Sequence, residues 1–386
     1  VILGEGADKN LEAISAFSAS NIGNYYISGK FAKSKESEIY KAWAWGNYKY
    51  QSKTKKNLLY VKEQKELEFL TFYSDCMNFS RDLINSPANK LNPSTYYSKI
   101  KNNNLFKSFN FIDYTEKEIN SNFPLTCAVG KSSSSKPKVI EITNRKLSKK
   151  DKPLVIIGKG VTFDTGGVNI KPGTSMRNMK KDMGGSAIAI SLFLLANYFL
   201  KKTKIVLIAP IAENAISSKS MRPGDVYSSV SGKSVEIAHT DAEGRLLLAD
   251  AIEKASSYNP CMIIDFATLT GAARVALGED LPAYFCNNET FAKKIENLNK
   301  EKLRCWRLPL YSPYLFKIKS QVADLSNASL DGMAGSITAA LFLQEFLKSP
   351  NIPWFHFDTF AWSQDSKGAA LQGLDIMSDF LRKNFN

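Results

Sequence analysis

LVIIGKGVTFDTGG, residues Leu154–Gly167, decides how this chain folds. Its first five residues, Leu154–Gly158, form a short, continuously apolar run rich in β-branched side chains, the composition of a strand buried on both faces. Polar residues and glycines follow at once. Working outward, the same kind of run recurs at Ile205–Pro210 (IVLIAP) and Met262–Phe266 (MIIDF). Between and beyond these runs, apolar residues fall at helical spacing over Gly185–Leu200, Arg245–Ser257 and Gly335–Lys348. Strand and helix in alternation predict an α/β fold: a three-layer α/β/α domain whose central sheet is mixed but largely parallel. In such sheets ligands bind at the carboxyl ends of the strands.

Residues 1 to about 60 read differently, being polar and aromatic with strand-like pieces in NYYISGKF and NLLYVKE. A helix is expected over Gln64–Ile84, and NSPAN at Asn85–Asn89 with Pro93 stops it. The division expected is a small α/β N-terminal domain over 1–62 and a large domain over 63–386. The segment Lys131–Lys152, with SSSSKPK and KLSKKDK, reads as an exposed hairpin or loop. No internal repeat stands out. No segment approaches the roughly 18 continuous apolar residues of a membrane span, so no membrane partner is expected. The opening VILGEGADKN has no signal-peptide character, although a chain that starts at Val1 leaves open a leader removed earlier. Five scattered cysteines without CxxC spacing point to reduced thiols in a cytoplasmic protein.

The formal charge of +14 raises nucleic acid as a partner, and a DNA-binding architectural or regulatory protein is the alternative reading. The cations, however, are 42 Lys against 9 Arg, in short runs such as KSKESE and KTKK. Base and phosphate recognition favours the forked arginine. A solvated lysine-rich surface is the better reading, and nucleic acid is not the expected partner.

Three polar clusters carry the chemistry, each after an apolar run. GKGVTFDTGGVNIKPG supplies Lys159, Asp164 and Lys171 and leads into MKKDMGG, which supplies Asp182. HTDAEGRLLLADA supplies Asp241, Glu243 and Arg245 at the start of a helix; DFATLTGAA is rich in small and hydroxyl residues. Carboxylates gathered at strand ends repel one another unless cations neutralise them. The chain has only two histidines, His239 and His356, which excludes a histidine-rich zinc site. Four carboxylates point instead to oxygen ligation of a pair of divalent ions such as Mn²⁺, Mg²⁺ or Zn²⁺. Asp241 alone would read as a helix N-cap; beside the Lys159–Asp182 cluster the metal reading prevails. The glycines fit neither GxxxxGK[ST] nor GxGxxG, so nucleotide binding is set aside. A lysine beside metals ligates only as the neutral amine, which two nearby cations and burial favour.

At these motifs the sequence resembles the leucine aminopeptidase (cytosol aminopeptidase) family, from RDLINSPANKLNPS at Arg81 to the C-terminus. The hallmark NTDAEGRL stands here as HTDAEGRL. GKGVTFDTGG, MKKDMGG, AENAISSKSMRPGDV, DFATLTGAARVALG and the ADLSN–GSITAALFL region follow in family order. The resemblance implies a two-metal leucyl-type aminopeptidase acting on peptides. Asp164 and Glu243 would bridge two metals (Zn²⁺, Mn²⁺ or Mg²⁺), Lys159 and Asp182 would complete the tighter site, and Asp241 the more exchangeable one. Lys171 would stabilise the oxyanion, and Arg245 would hold a bicarbonate acting as general base. Met179, Thr268 and Gly271 would line the first side-chain pocket, with backbone groups near Leu269 and Gly271 gripping the peptide. A metal-bridging water or hydroxide would be the nucleophile. A homohexamer of two stacked trimers is also implied. The sequence departs from the family at His239, where Asn is usual and a passive packed residue is the favoured reading. It departs again at HFDTFAW, His356–Trp362, where the pocket's apolar lining changes.

Overall fold

The computed structural model describes residues 2–3, 11–20, 24–27, 33–51, 58–300, 302–364 and 368–385. The lysine run at 53–56, residues 28–31 of NYYISGKF and most of the opening segment lie outside the described residues. The chain divides into two compact units, one reaching Asp82 and one running from Leu83.

The smaller unit has three parallel strands, Ile2–Leu3, Asn24–Ile27 and Leu58–Tyr60. Helices Leu11–Ser20 and Lys33–Gly46 belong to it, with most of Gln64–Asn85. Its core joins Ile14, Ile39, Tyr40 and Trp43 to Leu70. Leu70 lies on Gln64–Asn85, so packing draws that helix into the smaller unit, whereas a division at 62/63 would place it in the larger one. Arg81 is fully buried, its guanidinium 4.0 Å from the Trp45 ring centroid and 3.9 Å from that of Tyr48.

The larger unit is built on nine strands: β1 Asn110–Ile112, β2 Lys138–Thr143, β3 Leu154–Gly158, β4 Gly160–Asp164, β5 Ile205–Asn214, β6 Met262–Ala267, β7 Ala283–Cys286, β8 Trp306–Arg307 and β9 Trp354–Asp358. They form one sheet in the order β8-β7-β9-β6-β3-β5-β2-β1, with β4 also pairing β5. Strands β9, β6, β3 and β5 run parallel, as do β4 with β5 and β8 with β7; β7–β9, β5–β2 and β2–β1 are antiparallel. The sheet is therefore mixed and largely parallel. The helices that cover it are α1 Gly184–Phe199, α2 Gly244–Ser257, α3 Gly335–Gln344 and α4 Leu374–Phe385. Val155, Ile157, Val206, Ile208 and Ile263 cluster with Leu246–Leu248 of α2 and Leu341–Leu343 of α3. The intervening Leu154 and Ile156 are as deeply buried on the opposite face, because strand side chains alternate. There α1 lies so close that a Cβ on Gly158 would stand 2.3 Å from Ser186 Cα. The stretch Met179–Phe199 has the length and hydropathy of a membrane span, but most of it is buried inside the unit.

The segment Lys131–Lys152 is a loop only at its two polar ends, SSSSKPK and KLSKKDK. It contains β2, buried over Val139–Thr143. Its polar letters misled because Glu141 is fully buried and accepts hydrogen bonds from the Tyr114 and Tyr258 hydroxyls. The helix expected over Gly335–Lys348 ends at Gln344 instead.

Candidate active site

The carboxyl ends of the parallel strands collect the polar clusters on one edge of the sheet, as doubly wound α/β folds require. Lys159 stands between β3 and β4, almost fully buried. Its Nζ donates to Asp182 Oδ2 at 2.8 Å and to the Thr268 carbonyl at 2.7 Å, and lies 3.1 Å from Glu243 Oε1. Gly244 makes room for it: a Cβ there would stand 2.4 Å from Lys159 Cε. Asp164 ends β4. Its Oδ1 accepts from Gly166 N–H and from the Asn214 side-chain amide, both at 2.8 Å, and its Oδ2 lies 2.8 Å from Lys171 Nζ. Lys171 Nζ is also 2.5 Å from Asp241 Oδ1. Asp182 sits in the 3₁₀ turn Met179–Met183, where its Oδ1 accepts from the Thr268 hydroxyl at 2.8 Å. Asp241 does not cap α2: Glu243 occupies the N-cap position and makes no side-chain capping bond.

Carboxylate oxygens of Asp164, Asp241 and Glu243 lie within 4.8 Å of one another. Burial and the neighbouring Asp164 charge push Asp241 up to about 6, and the same two causes hold Glu243 well above the usual carboxylate range. Burial works against the charge of Lys159, but Asp182, Glu243 and Asp164 outweigh it and hold the amine protonated beyond the ordinary lysine range. Lys171 behaves alike, opposed by burial and held by Asp164, Glu243, Asp182 and Asp241. Four carboxylates thus crowd two ammonium groups. Glu243 Oε2 is buried without a hydrogen bond. Hard oxygen donors, mutual repulsion and an orphaned carboxylate oxygen are the conditions that divalent cations relieve, so the residues present fit a pair of them.

Arg245, one residue into α2, is buried with Nε and Nη1 unpaired. Burial lowers its guanidinium to about 10 against the pull of Glu243 and Asp358. Two buried, unsatisfied guanidinium donors fit a small planar anion such as bicarbonate. Thr268 is buried, Met179 half-buried and Leu269 half-buried. Gly271 is exposed, with open space where its Cβ would be. His239 is exposed, not packed, because its ring stands off a turn whose neighbouring Thr240 is the buried member; its Nδ1 accepts from Asp241 N–H at 3.2 Å.

The positioning residues went unread in the sequence. Asn327 Oδ1 accepts from the N–H groups of Ala238 (2.8 Å) and His239 (3.1 Å), while its amide donates to the His239 carbonyl at 2.8 Å. It thereby fixes the turn that presents Asp241. Asn169 and Thr240 exchange hydrogen bonds at 2.9 Å, tying the Lys171 loop to the same turn. Asp358, at the end of β9, accepts from the N–H groups of Leu269 and Thr270 and from the hydroxyls of Thr270 and Ser336. Asn214, Asn327 and Asp358 all stand in quoted motifs, and a buried polar letter beside a strand end was the signal available.

Residues 78–377 match the catalytic-domain profile of the cytosol aminopeptidase family. The chain is 40% identical over 291 residues to a cytosol aminopeptidase of Encephalitozoon cuniculi, an alignment covering 74% of this chain and 59% of that protein. It is 38% identical over 295 residues to a probable cytosol aminopeptidase of Syntrophotalea carbinolica, covering 76% and 59%. The alignments therefore span under three-fifths of those relatives' length. The crystal structure of a cytosol aminopeptidase from Coxiella burnetii superposes with a TM-score of 0.90 at 35% identity, covering 99% of this chain and 85% of that one. The bottromycin maturation enzyme BotP, solved in complex with Mn, gives 0.86 at 26% identity, covering 98% and 87%.

Proposed function

The chain belongs to the cytosol aminopeptidase family, and on that premise we propose that it is a metal-dependent aminopeptidase removing N-terminal residues, Leu and other mostly apolar ones, from peptides. The observation that carries this reading is the enclosure of Asp164, Asp241 and Glu243 within 4.8 Å of one another, with Lys159 and Lys171 between carboxylates. Asp164, Asp182, Asp241 and Glu243, with Lys159 as the neutral amine once the ions' charge displaces its proton, would hold two divalent ions, Zn²⁺ or Mn²⁺ or Mg²⁺; the manganese in BotP supports the second choice. Such ions supply Lewis acidity toward the scissile carbonyl and acidify water toward neutral pH.

The remaining work falls to this chain's own side chains. Lys171 keeps its proton, is partly exposed, and directs an ammonium to where the oxyanion develops. A donor of that kind is typically worth about 10²–10³ in rate. Arg245 would hold a bicarbonate that supplies general-base help through its unpaired Nε and Nη1. Met179 and Thr268 would line the side-chain pocket, and the loop that Asp358 anchors offers backbone groups at Leu269 and Gly271 for the peptide. For assembly we propose a homohexamer. Phe316, Leu330 and Met333, exposed by 69%, 92% and 67% in the single chain, are the apolar side chains such contacts would cover. The cytosol is the compartment that reduced thiols and the relatives' names support.

Hydrolysis of leucine amide tests the reading. The chain dialysed against chelator should be inactive and should recover with Mn²⁺ or Zn²⁺. Full activity after exhaustive chelation would overturn it.

A further inference from the structure

The family-divergent segment HFDTFAW places an aromatic ring between two cations. Lys181 Nζ lies 4.5 Å from the centroid of the Phe360 ring, and the Arg274 guanidinium carbon lies 4.8 Å from it. Both cations neighbour residues assigned above to the side-chain pocket. Lys181 shares the 3₁₀ turn Met179–Met183 with Met179, and Arg274 stands on the short helix Gly271–Leu277 that Gly271 opens. The residue after Phe360, Ala361, sits against Gly184 and close to Thr268. A Cβ on Gly184 would stand 2.2 Å from Ala361 Cβ and 3.6 Å from Thr268 Cγ2.

Phe360 is held there on purpose-built backbone. Ala361 adopts a left-handed φ of 54°, which a non-glycine residue keeps only when its surroundings impose it. Gln372 does so. Its Oε1 accepts from Ala361 N–H at 3.0 Å and from the Thr359 hydroxyl at 3.2 Å, and its Nε2 donates to the carbonyls of Trp362 at 3.1 Å and Glu279 at 3.0 Å.

Lys181 is only 4% exposed, yet among the described residues it has neither a hydrogen bond nor an ion pair to its ammonium, whose contact is the Phe360 ring. The adjacent Asp182 attracts this ammonium but makes no bond to it, because its Oδ1 is bonded to Thr268 and its Oδ2 to Lys159. An ammonium this nearly buried and without a bonded counter-charge is costly, and part of the cost is recovered when an anion arrives. Arg274, also without an ion pair among the described residues, adds a planar fork suited to a carboxylate.

We propose that this pocket accepts acidic N-terminal side chains, glutamate and aspartate, beside the apolar ones, with Phe360 packing on their methylenes and Lys181 and Arg274 taking the carboxylate. The proposal rests on the aminopeptidase reading of the same site. Its test compares kcat/KM for the p-nitroanilides of Leu, Glu and Asp with the Mn²⁺-loaded chain, alongside Lys181→Met and Arg274→Met. Calorimetric binding of free L-glutamate and L-leucine to the same three proteins supplies a readout independent of turnover.

The wild type is expected to cleave the Glu or Asp substrate within about tenfold of Leu. At least one variant should lower the acidic-to-Leu ratio roughly tenfold or more, the scale of one lost charge-assisted hydrogen bond. L-glutamate binding should weaken in parallel. Cleavage of Leu with no measurable cleavage of either acidic substrate overturns the proposal, as does an unchanged ratio in both variants when their thermal melts show them folded. If no substrate is cleaved, the aminopeptidase reading fails by itself, and calorimetry decides the pocket. L-glutamate binding more tightly than L-leucine, and losing that advantage in Lys181→Met, supports it; equal or absent binding overturns it.

Discussion

Lys171 Nζ lies between Asp164 Oδ2 and Asp241 Oδ1 at 2.8 and 2.5 Å, and neither carboxylate belongs to the hydrophobic core. Lys171→Ala should therefore cost roughly 10² or more in kcat on leucine amide while the circular dichroism spectrum stays native; an unchanged kcat would remove the lysine from the chemistry. Asp250 presents a separate case, on α2 but away from the cluster. Its Oδ2 accepts from Thr126 N–H at 2.7 Å and from the Thr126 hydroxyl at 2.8 Å, while its Oδ1 is buried without a partner. Burial outweighs those bonds and pushes its carboxyl up to about 8. With an unfolded value of about 3.9, the folded chain binds one proton more than the unfolded chain between those limits. This group's contribution to stability is thus full below about pH 4 and is lost as pH rises toward 8. In Asp250→Asn, thermal melts should lose part of that downward slope between pH 5 and 8; identical slopes would refute the assignment. At this scale Lys159 and Asp164 were readable as candidates because they follow the apolar run Leu154–Gly158, while Asp182 and Glu243 were read from their place in the MKKDMGG and HTDAEGRL motifs. Asp358 and Asn327 were not, because their partners lie 88 or 89 residues away in the chain.

Among the elements, β3 and α1 approach each other closely beside the site. Gly158→Ala would set a methyl 2.3 Å from Ser186 Cα, a backbone atom that cannot swing aside. Overpacking of this kind costs about 1–3 kcal/mol or more, and urea midpoints should show it. Gly173→Ala, which meets nothing within 4 Å, serves as the control and should stay within about 0.5 kcal/mol. Equal midpoints for the two variants would contradict the packing described. Strands β3, β5 and β6 were readable as apolar runs. Strand β2 was not, because buried Glu141 looks like a surface letter until Tyr114 and Tyr258 converge on it.

For the molecule as a whole, ions that bind only the folded state stabilise it by mass action, about 4 kcal/mol at a thousandfold excess over Kd. Chelation is expected to lower the melting temperature and Mn²⁺ or Zn²⁺ to restore it; a melting temperature indifferent to both would place no ion among Asp164, Asp241 and Glu243. Sedimentation should report six chains, and a monomer at micromolar concentration would refute the proposed hexamer. Its lysine-rich charge, by contrast, prescribes no geometry.

Read alone, the amino-acid order determined the α/β class and the pieces of the site, because strand burial, helical period and the residues just after each strand are local properties. Only the tertiary structure decided which carboxylates share space, which lysine stands between them, and that Phe360 meets Lys181 and Arg274. Those juxtapositions depend on sheet order and loop closure, where residues far apart in the chain are brought within a few ångströms and no local pattern records the meeting.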